Sequence, residues 1–272
     1  MADDIDDILA YYENPKCGEN SRLARHQLER DITLRYLETY LPAAGRILEV
    51  GAATGSYTAW LAERGYQVTA VDLSESLMSQ CTKQLSEMGL IANVSCLVAD
   101  ARDLSSVPGT DFDAVLLMGP LYHLTLKENR LKALRESVGR LKPGGILFSA
   151  LISRFGIMGD LLRRVPQWIE NQKEVRSVVE KGHDPDYDAV MGGFHGYFVT
   201  VDEVVPLHEE AGLQTIVLAG VEPTISAGDD SYNRLQGSQR ERWLDLLYEL
   251  SRERSLVASS RHLLYVGRTP EE

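Results

Sequence analysis

Arg46-Ile-Leu-Glu-Val-Gly-Ala-Ala-Thr-Gly-Ser-Tyr-Thr-Ala-Trp60 decides the fold class: an apolar strand over 47–50, a turn of small residues, and the opening of a helix. Gly51 and Gly55 carry no Cβ, so the chain turns sharply and a ligand comes close to the backbone. The first N–H groups of the helix then face that ligand. A second strand, Gln67-Val-Thr-Ala-Val-Asp72, follows and ends in a carboxylate. An acid about twenty residues past the first glycine suits a ribose, whose hydroxyls both donate to it. The pattern predicts a cradle for an adenosine-type cofactor, with Asp72 on the sugar.

The turn itself separates two cofactor classes. A dinucleotide fingerprint asks for G-x-G-x-x-G, but here Ala53 stands between Gly51 and Gly55, and no third glycine follows. Glu49, just before the turn, repels a pyrophosphate and attracts a cation such as an ammonium or a sulfonium.

With 272 residues and 44% hydrophobic content the chain can bury a full core. No apolar run approaches the ~20 residues of a membrane span, and the acidic start, Met1-Ala-Asp-Asp, lacks the look of a signal peptide. A cytoplasmic protein is expected, without membrane contact. Cys17, Cys81 and Cys96 form no C-x-x-C pair and read as buried thiols rather than as a disulfide framework or a zinc site. A net charge of -12 argues against a polynucleotide partner, which would need a basic face.

Along the chain, residues 1–45 carry a helical pattern (Leu23, Leu28, Ile32, Leu34, Leu37, Leu41) stopped by Pro42 and Gly45. This N-terminal helical cap is placed to fold over the pocket, where Tyr12 or Arg22 can meet a carboxylate. Strands at 47–50, 67–72, 94–98, 112–118 and 146–152 alternate with helices near 56–64, 75–88 and 127–141, the pattern of a parallel sheet covered on both faces. Ligands of such sheets bind at the carboxyl ends of the strands. Asp100 and Ala101 there can read an adenine edge, and Leu73 can cover its face. Glu49, Asp72 and Asp100 thus close three successive strands.

The ordered motifs Ile47-Leu-Glu-Val-Gly-Ala-Ala-Thr-Gly55, Ala70-Val-Asp72, Val98-Ala-Asp100, Asp113-Ala-Val-Leu-Leu-Met-Gly-Pro-Leu-Tyr-His123 and Leu141-Lys-Pro-Gly-Gly-Ile-Leu-Phe148 resemble those of class I S-adenosylmethionine-dependent methyltransferases. The likeness covers 46–152 closely and the C-terminal part loosely. It implies an α/β fold, a seven-stranded Rossmann-like sheet with helices on both faces and its last strand antiparallel. S-adenosylmethionine is the implied cofactor, its methionine end against Glu49, Gly51, Ala52, Ala53, Gly55 and Met118. Asp72 would hold the ribose, and Asp100 with Ala101 the adenine. Ala53, where many members have glycine, is tolerated if its φ stays negative.

After strand five the regularity breaks. Residues 153–200 read as a helical lid over the strand ends, walling an acceptor with Phe194, Tyr197 and Phe198. The run His183-Asp-Pro-Asp-Tyr-Asp188 has metal-ligand residue types but the setting of a solvated loop, so no metal is expected. Residues 201–272 return to the core with a helix over 202–211, a strand over 215–218, a helix over 238–256 and a last strand over 262–266. One domain results: cap 1–45, cofactor core 46–152, lid 153–200 and completing segment 201–272.

Methyl transfer to an oxygen, nitrogen or carbon of a small-molecule acceptor needs at most one base. His123, after strand four, is the first candidate, and His195 in the lid the second. Leu117-Met118-Gly119 lacks the carboxylate that metal-assisted catechol methylation wants at this strand end. The competing readings are a short-chain NAD oxidoreductase and a non-catalytic cofactor-binding protein. The Tyr-x-x-x-Lys spacing of the former occurs only at Tyr12 to Lys16, ahead of the cofactor motif. The oligomeric state stays open, a homodimer included.

Overall fold

The computed structural model describes residues 3, 5–13, 22–184, 196–224 and 228–271. Three helices lead: α1 (Ile5–Glu13), α2 (Arg22–Arg25) and α3 (Gln27–Tyr40). The last ends at Leu41, whose extended backbone is the conformation that a following proline imposes. The alternating unit follows as β1 (Arg46–Val50), α4 (Ser56–Glu63), β2 (Gln67–Asp72), α5 (Glu75–Glu87), β3 (Val94–Val98), β4 (Phe112–Leu117), α6 (Pro120–His123), α7 (Lys127–Val138) and β5 (Leu141–Ile152). The remainder holds α8 (Met158–Arg164), α9 (Gln172–Lys181), α10 (Val201–Glu210), β6 (Gln214–Gly220), α11 (Asp229–Asn233), α12 (Gly237–Leu250), α13 (Arg254–Val257) and β7 (His262–Arg268).

These strands make one seven-stranded sheet in the order β3-β2-β1-β4-β5-β7-β6, in which β7 runs antiparallel to both neighbours. The chain leaves β1 toward β2 and later crosses back to β4, so the order reverses beside β1, where sheets of this kind bind ligands. Both faces are covered. Leu48 and Val50 of β1 pack with Leu131 and Leu134 of α7 and Val204 and Leu207 of α10. Ile47, one residue away on the opposite face, packs with Leu28, Ile32 and Leu37 of α3 and Leu244 and Leu247 of α12. A strand buried on both sides reads as an apolar run rather than an alternating one, which is how Ile47, Leu48 and Val50 appear, with Glu49 alone interrupting them.

Three local expectations change. The helix expected over 127–141 stops at Val138, and Lys142-Pro-Gly-Gly145 lies inside β5 rather than before it. There the step from Phe112 to Ala114 on β4 faces the longer step from Leu141 to Ile146, a bulge that Gly144 permits with φ +72. The helix expected over 238–256 is split, because the Ser251 hydroxyl donates to the Tyr248 carbonyl and is buried against the Tyr36 hydroxyl. The lid is the third. Described residues of 153–200 build a cluster of their own beside the end of β5 (Ile157, Leu161, Trp168, Val178, Phe198), and none of them lines the cavity at the strand ends. That cavity is covered by α1. Residues 185–195, with Phe194, His195, Asp186 and Asp188, lie outside the described residues.

Candidate active site

A cavity of about 1350 Å³, its mouth included, opens where β1, β2 and β4 end. Glu49, Gly51, Ala52, Ala53, Asp72, Leu73, Asp100, Ala101, Met118, His123 and Tyr12 all line it. Gly51 turns with φ +84, and a Cβ there would fall 2.6 Å from Pro120 Cδ and 2.8 Å from the Met118 carbonyl. The β1 turn can therefore slide under the β4 turn only as glycine. Gly55 is different: it stands behind the turn, where a Cβ would come 2.5 Å from Cys81 Sγ, and it does not line the cavity. It is a packing glycine rather than a ligand-facing one.

Ala53 corrects another expectation, since its φ is +48 and not negative. A left-handed alanine costs about 1–2 kcal/mol. The conformation is held by the Ala53 N–H, which donates to Asp72 Oδ2 at 2.9 Å, while the Ser74 N–H donates to Oδ1 at 3.0 Å. Asp72 is thus fixed with its carboxylate at the cavity wall.

The three strand-end acids share the cavity but not a common negative charge. Glu49 is 1% exposed and accepts a hydrogen bond of 2.6 Å from the Thr58 hydroxyl. Burial pushes its carboxyl up to about 8, more than that hydrogen bond lowers it, so the group holds a proton at neutral pH. Asp100 forms a forked pair with the Arg102 guanidinium, with Nε at 3.0 Å and Nη2 at 2.6 Å from Oδ2.

Polar contacts fasten the cover at both ends. The Asp3 carboxylate accepts from the backbone N–H and hydroxyl of Thr125, just ahead of α7, and from the Asn129 side chain in its first turn at 2.7 Å. Burial alone would raise the Asp3 carboxyl, but these hydrogen bonds outweigh it and hold the pKa below the ordinary value. Ile5, Ile8 and Leu9 then face the cavity, and at the far end of α1 the Tyr12 hydroxyl meets His123 Nε2 at 2.6 Å. The two residues expected apart, one for cofactor and one for catalysis, are thus one hydrogen-bonded pair. The Arg22 side chain and all of Cys17 lie outside the described residues; Cys81 is buried, and partly buried Cys96 brings its Sγ within 3.8 Å of Cys81.

Sequence reasoning missed the other end of the cavity. Glu29 and Thr33 of α3, Val221 after β6, and His262 with Leu264 of β7 line it. Because β7 is antiparallel, its first residue emerges at the edge where the parallel strands end, with His262 opposite Ile152. That was the available signal.

The family comparison agrees with this geometry: residues 48–149 match the model of a family described as a methyltransferase domain. Over that stretch the chain resembles a methyltransferase domain, and its fold is the one seen in solved S-adenosylmethionine-dependent methyltransferases. Its sequence is 34% identical over 124 residues to the putative methyltransferase YqeM of Bacillus subtilis, covering 45% of this chain and 49% of that protein. It is 33% identical over 124 residues to a ubiquinone biosynthesis O-methyltransferase of Xanthomonas axonopodis, covering 45% and 50%. The chain thus spans about half the length of the curated relatives it matches. Among solved structures, a SAM-dependent methyltransferase of Methanosarcina mazei superposes with a TM-score of 0.59 at 18% identity, over 87% of this chain and 98% of that one, a likeness of fold.

The wall of this cavity suits S-adenosylmethionine. Asp72 offers carboxylate oxygens for a diol, and Ala101 and Leu73 present backbone and an apolar face beside Asp100. Glu49 is the most telling, a fully buried carboxyl that has no cation beside it among the described residues. A ligand bearing a positive charge would supply one.

Proposed function

We propose that the chain transfers the methyl group of S-adenosylmethionine to an oxygen, nitrogen or carbon of a small-molecule acceptor, aromatic acceptors included, and releases S-adenosylhomocysteine. One observation carries this reading: the ends of β1, β2 and β4 converge on a single cavity that continues, past Met118, into an unclaimed half lined by Ala150, Val221 and Leu264. The first half has the residues for an adenosine and the second has room for an acceptor. Similarity to ubiquinone biosynthesis O-methyltransferases supports a small acceptor.

The bound cofactor supplies an electrophilic methyl. The chain's own residues do the rest. Asp72 holds the ribose, Asp100 and Ala101 the adenine, and Leu73 covers it. Glu49, Gly51, Ala52, Ala53 and Met118 surround the methionine end. The cover formed by Ile5, Ile8, Leu9 and Tyr12 excludes water, and the hydrogen bond of Tyr12 to His123 latches it.

Calorimetric titration with S-adenosylmethionine and with NADH, followed by a methyl-transfer assay over phenols, amines and carbon acids, tests the proposal. Binding of S-adenosylmethionine with turnover of at least one acceptor is expected. NADH binding in its place would favour an oxidoreductase, and tight S-adenosylmethionine binding with no turnover anywhere would favour a non-catalytic binding protein.

A further inference from the structure

We propose that His262 is the general base for the acceptor, with Glu222 and Glu29 as its positioning residues; this rests on the methyl-transfer reading above. His262 lines the acceptor half of the cavity. Its Nδ1 lies 3.1 Å from Glu222 Oε2 and 3.4 Å from Glu29 Oε2, and its Nε2 has no partner among the described residues. Two carboxylates at Nδ1 keep the proton on that nitrogen, so the Nε2 lone pair faces outward, and they stabilise the imidazolium that forms. His123 is placed otherwise, because the Tyr12 hydroxyl occupies its Nε2.

The supporting shell is rigid. Glu222 is 0% exposed and is held by the Arg261 guanidinium and by the His262 backbone N–H at 2.8 Å. Arg261 is itself fixed by Asp160 at 3.1 Å and Asp229 at 3.2 Å. Both Glu222 oxygens are thereby engaged beside a guanidinium, which makes the cluster a support that orients the imidazole rather than a seat for a metal cation. Along the sheet, His262 lies two strands across and two residues beyond the row of Met118, Ala150 and Leu264. That is about 12 Å between backbones, from strand spacings of about 4.8 Å and rises of about 3.3 Å. The imidazole is too far to touch groups held at Asp72 and near enough to touch an acceptor lying between. In the step, Nε2 takes the acceptor's O–H or N–H proton, the bonding pair stays on the acceptor atom, and the imidazolium later gives the proton to water.

Diethyl pyrocarbonate, which acylates unprotonated imidazole, is the first probe, with sites mapped by mass spectrometry on the intact chain. His262 should react at neutral pH at least about tenfold faster than fully buried His208, and Glu222→Gln and Glu29→Gln should each slow it several-fold while circular dichroism stays native. An unreactive His262, or one whose rate is the same in both variants, overturns the proposal. As a second arm, His262→Gln should keep S-adenosylmethionine affinity within about twofold yet lose about 100-fold or more in turnover of phenols such as 3,4-dihydroxybenzoate. A preserved rate also overturns it. Failure of the wild type to bind S-adenosylmethionine would sink the methyl-transfer reading instead, leaving the cofactor-free acylation arm to decide on His262.

Discussion

Glu49 carries a proton where the proposed ligand carries a charge, so the two are coupled. Its carboxyl is pushed up to about 8 by burial, and a cation beside it would bring it back toward the ordinary range. Binding at pH 7 should therefore release close to one proton, and affinity should rise up to about tenfold per pH unit until about pH 8. Calorimetry of S-adenosylmethionine binding in buffers of different ionisation heat reads this directly. Heats that do not depend on the buffer, or that keep their dependence in Glu49→Gln, would contradict it. Asp72 makes the simpler prediction: Asp72→Ala removes a charged acceptor from the ribose and also the partner that holds Ala53. A loss of about 1–3 kcal/mol in cofactor affinity is expected, and unchanged affinity would end its ribose role. Ala53→Gly relieves the left-handed alanine and should raise stability by up to about 1 kcal/mol in denaturant unfolding. No sequence signal distinguished that φ, because it is imposed by a hydrogen bond that Ala53 donates to the end of the strand the turn packs on.

At the scale of elements, what was legible was periodic and what was not was tertiary. The β1–α4 stretch and the strands after it announce themselves by burial on both faces. The cover was legible as a leading helical segment over the pocket with Tyr12 facing it, but the partner of Tyr12 was not, because a short α1 has no pattern that says which side chain it meets. Its place comes from single polar contacts, Asp3 to Thr125 and Asn129 at one end and Tyr12 to His123 at the other. The acceptor half was legible in principle, because an antiparallel last strand must bring its first residue, His262, to the ligand edge. Asp3→Ala should unpin α1 without touching the cavity wall. S-adenosylmethionine dissociation is then expected to speed up about 5- to 50-fold, with little change in association, as for the loss of about 1–2 kcal/mol of hydrogen bonding. Stopped-flow displacement would measure it, and an unaltered off-rate would mean that the cover does not gate the site.

For the whole molecule, two buried groups with opposite shifts shape stability against pH. His208 lies under the sheet, its Nε2 2.7 Å from the Ser149 hydroxyl and its Nδ1 donating to the Val204 carbonyl, and burial pushes its pKa down to about 4. Unfolded, it would take a proton below about 6.5, so its contribution is present above 6.5 and fades as pH falls toward 4. Glu49 works the other way: its raised pKa stabilises the fold below the unfolded value near 4.5, and that contribution is lost as pH rises toward 8. Between 4.5 and 6.5 the unfolded chain protonates the histidine and the folded chain the glutamate, so the proton counts match and the two slopes cancel. Of these two groups only the glutamate differs above 6.5, and its contribution should fall by about 2 kcal/mol by pH 8, at about 1.4 kcal/mol per unit. A chain of this size then loses roughly 4–8 °C in Tm. Melting of the ligand-free protein across pH 4.5–8 should show a plateau followed by this decline. Glu49→Gln should abolish the decline and uncover the rising limb that His208 produces on the acid side. A decline that survives in that variant would mean that the carboxyl at the end of β1 is ionised in the empty cavity, and the proton release expected on binding would go with it.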